Sequence, residues 1–138
     1  MDWIKIQNED DIQKLNNLYG FFEDSYLVKM EYSSGDGVDE NLYGFEEQLN
    51  DLKIVFQRLE RNPFSIELWF EHTKRISMFF HNGNKFLSDI MHAKVCKNDN
   101  SYYWTIWEDF DPTKKEHLEL NDVYLIEADS IKWRIIED

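Results

Sequence analysis

The chain has 138 residues, and its 28 Asp and Glu against 15 Lys and Arg leave a formal net charge of −13. That length fits one domain, residues 1–138, with a radius of gyration of about 14 Å. Aromatic residues at 16 % supply a core and exclude a disordered chain, while the acid excess excludes partners that draw on Lys and Arg, namely DNA, RNA and anionic lipid.

The same charge favours solubility and hastens encounter with a basic protein. Cys96 is the single cysteine, so no intrachain disulfide forms. The opening MDWIKIQNED lacks the basic segment and apolar run of a signal peptide. No apolar stretch approaches the ~20 residues that span a bilayer. The expectation is a cytoplasmic protein without membrane attachment.

In chain order, Asn8 is placed to cap a helix whose first turn carries Glu9, Asp10 and Asp11, acids that suit the positive end of the helix dipole. Ile12, Leu15, Leu18 and Tyr19 follow at helical spacing, and Gly20 stands where a left-handed terminator is expected. So short a helix needs an apolar stripe docked on a sheet to persist. Tyr26–Tyr32 alternates, with Tyr26, Val28, Met30 and Tyr32 on one face, and reads as a half-buried strand ended by Ser33-Ser34-Gly35-Asp36-Gly37. Residues 36–51 read as a long acidic loop, with a brief strand or helical turn near Phe45–Leu49.

Asp51–Glu60 is a strand with Leu52, Ile54 and Phe56 on one face, closed by Arg61-Asn62-Pro63. Phe64–His81 carries the strongest alternation in the chain. Ile66, Leu68 and Phe70, then Ile76, Met78 and Phe80, flank the polar run His72-Thr73-Lys74-Arg75, which predicts a central antiparallel hairpin turning there. Trp69 and Phe79 make the second face apolar too, so a helix, a sheet or a partner covers it in part. His81-Asn82-Gly83-Asn84 is a turn. Phe86–Val95 fits a helical stripe or a strand, with a strand from about Ile90 favoured. Lys97-Asn98-Asp99-Asn100-Ser101 is a turn, and Tyr102–Asp109 a strand with Tyr102, Trp104 and Ile106 opposite Tyr103 and Trp107. Val123–Ala128 and Ile131–Ile136 form either a hairpin or one strand kinked by a bulge. The fold class that follows is α+β: a mainly antiparallel sheet of about seven or eight strands with one short N-terminal helix packed on it.

Motifs for chemistry are sparse. His72, His81, His92 and His117 show neither i, i+4 pairing nor a His-Glu-x-x-His frame, so no metal or cofactor is expected. Carboxylate pairs such as Glu67 with Glu71 are what 28 acids produce by chance, and nothing marks two of them as occupying the unlike environments that acid–base catalysis needs. Cys96 reads as a semi-buried structural thiol. Trp69, Tyr102, Tyr103, Trp104 and Trp107 have Glu67, Glu71, Glu108 and Asp109 as sequence neighbours, not bases, which disfavours a nucleic-acid stacking platform. Core packing is the simplest role for these rings, and a partner surface the other.

Tyr19-Gly20-Phe21-Phe22-Glu23-Asp24-Ser25 resembles a segment of predicted immunity proteins of bacterial polymorphic toxin systems. Those have a short N-terminal helix ending near Gly, then an aromatic–His–Asp–small motif heading the first strand. Phe22, Asp24 and Ser25 match it, Glu23 replaces His, and the Leu-x-Phe of Leu68 and Phe70 is similar as well. The resemblance implies a cytoplasmic, non-enzymatic protein that blocks a toxin domain, and it transfers no binding residues. From the residues themselves, the contact surface expected for a basic partner is Asp36, Asp39, Glu40, Glu46 and Glu47, with Tyr43 as anchor. Two other readings stand beside it: a small-molecule pocket lined by Trp104, Trp107 and a carboxylate, and a homodimer pairing through Trp69 and Phe79.

Overall fold

The computed structural model describes residues 2–79, 81–82, 85–86 and 89–137. Chain order is β1 (Ile4–Lys5), α1 (Glu9–Leu18), a 3-10 turn (Gly20–Phe22), β2 (Ser25–Ser33), β3 (Asp36–Val38), β4 (Gly44–Glu46), β5 (Asp51–Arg58) and β6 (Ser65–Ser77). The short β7 (His81–Asn82), β8 (Lys85–Phe86) and β9 (Asp89–Ile90) follow, then β10 (Lys94–Asn98), β11 (Ser101–Thr105), α2 (Lys115–Leu118) and β12 (Leu125–Glu137). Among the described residues the main sheet has eight strands, ordered β10-β11-β12-β6-β5-β2-β9 with β1 added beside β12, and every pairing is antiparallel. This is the α+β architecture expected from the alternating runs.

The sheet curls. Its two end strands, β9 and β10, are joined by residues 91–93 alone. Four residue steps span at most about 14 Å, so the two ends of the sheet come close together. Helix α1 packs against β10, and its Ile12 and Leu15 enter the space that the sheet encloses. Asn8 caps the helix, its side chain accepting from the Asp11 amide at 2.9 Å. Buried Asn16 fastens the helix to the edge strand: its Nδ2 donates to Val95 O and its Oδ1 accepts from Val95 N, both at 3.0 Å. The core combines these residues with Tyr19, Phe22, Leu52, Ile54, Phe56, Ile66, Leu68, Phe70, Trp104, Ile126 and Trp133.

The central hairpin expected at Phe64–His81 is absent. Ser65–Ser77 is one 13-residue strand, paired with β12 from Ser65 to Ser77. The polar run that mimics a turn is a bulge: Arg75 faces Glu127 and Thr73 faces Ala128, so Lys74 is the extra residue, and His72, two residues before it, has φ 51°. By the same pairing, Leu125–Glu137 is one strand, not a hairpin.

Three further expectations are corrected. In β2, Leu27 faces Phe56 and Lys29 faces Val55, so Val28 is bulged; Leu27 and Met30 pack on the core while Tyr26, Val28 and Tyr32 are exposed. The strand expected from Ile90 breaks at Met91, where the chain crosses between sheet ends and Ala93 N donates to Phe21 O. The strand at Tyr102 ends at Thr105, short of Asp109. Beyond it, residues 106–124 fold over the outer face, where Tyr103, Phe110 and Leu125 form a second cluster with Cys96, Trp107, Leu118 and Val123. The turn expected at His81-Asn82-Gly83-Asn84, and Phe80, lie partly outside the described residues.

Candidate functional site

All six residues singled out for partner contact fall on one element. β3 and β4 form a two-stranded arm that prolongs the β2–β5 pair beyond the main sheet, with Asp36 opposite Glu46, Gly37 opposite Phe45 and Val38 opposite Gly44. What reads in sequence as an acidic loop is therefore a hydrogen-bonded hairpin. Its tip is built by Asp39, whose Oδ1 accepts from the amides of Asn41 at 2.9 Å and Tyr43 at 3.0 Å. Asp36 does the same at the base, accepting from Gln48 N at 2.8 Å. These two carboxylates thus shape the arm. Glu40, Glu46 and Glu47 are exposed and enter no ion pair among the described residues.

Two glycines allow the arm to pack on itself. A Cβ on Gly37 would sit 2.8 Å from Phe45 Cζ, so the phenyl ring lies across the bare backbone of the opposite strand. At Gly35, with φ 79°, a Cβ would meet Leu49 Cγ at 2.8 Å. Other apolar side chains have no such internal use. Leu42 is 84 % exposed with φ 65°, Tyr43 is 71 % exposed, and Val38 is open as well. A left-handed leucine at an exposed tip gains nothing from core packing, and exposed apolar groups ringed by charge are typical of contact surfaces.

The arm lies in a base-free stretch of the chain. Between Lys29 and Lys53 lie Glu31, Asp36, Asp39, Glu40, Glu46, Glu47 and Asp51 and no base. The outer face of the sheet is balanced by contrast: Arg134 pairs with Glu67 at 2.8 Å, and Lys132 with Glu71 at 3.2 Å. The amines of Lys53 and Lys132 lie 4.6 and 4.7 Å from the Trp69 ring centre, and Trp3 meets that ring edge-on at 5.2 Å. Trp69 therefore has bases as spatial neighbours although its sequence neighbours are acids. Its ring is taken up by the protein's own side chains, and Phe79 packs against Tyr124 at 5.6 Å.

The expected aromatic pocket does not assemble. Trp104 is fully buried in the main core against Phe22 and Phe56, while Trp107 belongs to the outer cluster with Phe110 and His117. A different concavity, about 210 Å³, opens between Gly20, Glu23, Asp24, Arg58, Leu59 and Glu60 at the far end of β5 from the arm. Its buried Arg58 is a structural latch: Nε donates to Pro63 O at 2.8 Å and Nη2 to Leu18 O at 3.3 Å, at the C-terminal end of α1. The guanidinium stacks 4.5 Å from the centre of the Tyr19 ring. Burial raises the Tyr19 hydroxyl well above the ordinary phenol range, with Arg58 partly opposing, and the neutral hydroxyl donates to Phe64 O. In the neighbouring motif, Ser25 donates to Phe22 O at 2.6 Å, whereas Asp24 is exposed with φ 55°.

Cys96 is partly buried, and burial pushes its thiol up to about 12 against the opposing charge of Lys94. Among the described residues no three His, Cys, Asp or Glu side chains gather to hold a metal ion. Nor is any helix long and apolar enough to cross a membrane. No protein-family model, curated protein or solved structure matches the chain.

Sequence reasoning points to the acids and Tyr43 and passes over Val38 and Leu42. The signal was there in Val38 and Leu42 flanking Asp39-Glu40-Asn41, an apolar–polar–apolar pattern across a turn.

Proposed function

We propose that this is a non-enzymatic acidic binding protein whose β3–β4 arm docks a basic protein partner, and that the partner is a toxin domain which the complex blocks in the cytoplasm. The observation that carries the reading is the arm itself: a two-stranded ribbon separate from the main sheet, with Leu42 and Tyr43 exposed at its tip and Glu40, Glu46 and Glu47 without ion pairs among the described residues. Apolar anchors at the centre of a contact supply affinity, and charges at its rim supply steering and selectivity. The motif at Phe22, Asp24 and Ser25 supports the toxin-blocking part by its resemblance to immunity proteins alone. A cationic cleft lined with phosphate-binding groups, such as that of a nuclease, is the kind of surface such an arm complements.

Calorimetry against a basic toxin domain encoded beside this gene tests the proposal. Micromolar or tighter binding that weakens steeply with salt fits it. Absence of binding at low salt removes it.

A further inference from the structure

Resting on the arm being the docking element, we infer that it is presented as a preset ribbon whose angle to the sheet is held by Asn50 as a positioning residue. Asn50 sits in the elbow where the arm rejoins β5, with φ 49°, a left-handed conformation that Asn tolerates better than most residues. It ties three segments together. Its amide donates to Ser34 O at 3.2 Å, next to the matching Leu49 bond at 2.8 Å. Its side-chain Oδ1 accepts from the Tyr32 hydroxyl at 2.9 Å. Its carbonyl accepts from Thr73 N at 2.9 Å.

The last bond uses the part of β6 that overhangs β5. β5 pairs with β6 only from Gln57–Ser65 to Leu52–Phe70, yet β6 runs on to Ser77. Thr73 lies on that overhang beside the Lys74 bulge, and its amide is caught by the elbow. One of the two longest strands of the sheet thereby sets where the arm points. Gly35 under Leu49, and Gln48 donating to Asp36, close the other side of the elbow. A partner then meets a surface already in its bound posture and need not order it. A variant that holds that posture a tenth of the time binds about tenfold more weakly.

The test needs no partner. Amide relaxation and hydrogen exchange are measured on the full chain, on Asn50→Gly, on Tyr32→Phe and on the double variant. Gly keeps the left-handed backbone and the two main-chain bonds while losing the side-chain bond. Phe removes the same bond from its other end. The inference predicts wild-type order parameters of about 0.85 for residues 36–47. It also predicts exchange at Thr73 roughly fivefold faster in each single variant, the loss of one hydrogen bond, with Leu68 and Phe70 unchanged and the double variant no worse than the singles. Wild-type arm order parameters below about 0.6, or Thr73 exchange unchanged in both variants, would overturn it. Both outcomes are independent of whether any basic protein binds.

Discussion

At the scale of single residues, the carboxylates of the arm fall into two uses. Asp36 and Asp39 spend their acceptors on backbone amides, whereas Glu40, Glu46 and Glu47 face solvent without ion-pair partners among the described residues. Asp39→Ala should therefore loosen the arm tip, seen as collapsed amide dispersion for residues 38–44, while a charge-only change at Glu40 leaves those shifts in place. Cys96, with its thiol pushed up to about 12 by burial, should resist maleimide at pH 8 in the folded protein and react at once in denaturant. Rapid labelling of the native chain would contradict that environment. Asp111 shows the opposite shift. Hydrogen bonds from the Thr113 hydroxyl at 2.6 Å and amide at 2.9 Å hold its carboxyl below the ordinary value. A depressed folded value means that its contribution is present above the unfolded aspartate pKa and is lost as pH falls through the folded one. The Thr113 amide shift should accordingly titrate with a midpoint below that of a free aspartate.

At the scale of elements, the irregular places explain both the successes and the failures of sequence reading. Leu52, Ile54 and Phe56 alternate without interruption in β5, and period two placed them correctly. In β6 the same rule misread His72-Thr73-Lys74-Arg75, because a bulge and a tight turn draw on the same polar residues and only the partner strand distinguishes them. Val28 flips the faces of β2 by the same device, which a single sequence cannot disclose. The arm was legible as acid and unreadable as a hairpin, since its packing depends on Gly35 and Gly37, glycines that equally signal a loose loop. Gly37→Val should thus disorder residues 36–46 selectively, because its branched side chain must displace the Phe45 ring. Asn16 is the counterpart in the body of the fold. Asn16→Ala strands the amide and carbonyl of Val95 beneath α1, and chemical denaturation should show a loss of about 2–4 kcal/mol for two buried hydrogen bonds. A loss under ~0.5 kcal/mol would mean that water replaces Asn16 at no cost.

At the scale of the whole molecule, the curled sheet around α1 is a scaffold with its charge unevenly distributed. On the outer face Arg134 and Lys132 are matched by Glu67 and Glu71, whereas the arm carries Asp36, Asp39, Glu40, Glu46 and Glu47 and no base. Solubility alone would not require those carboxylates to surround Leu42 and Tyr43. The most direct measurement is the affinity of the neutralised variant Glu40→Gln/Glu46→Gln/Glu47→Gln beside the wild type, titrated from low to high salt against the basic domain encoded next to this gene. The account predicts weaker binding at low salt, a shallower salt dependence and convergence of the two proteins once the charges are screened. Equal affinity at every salt concentration, with the arm intact by amide shifts, would contradict it.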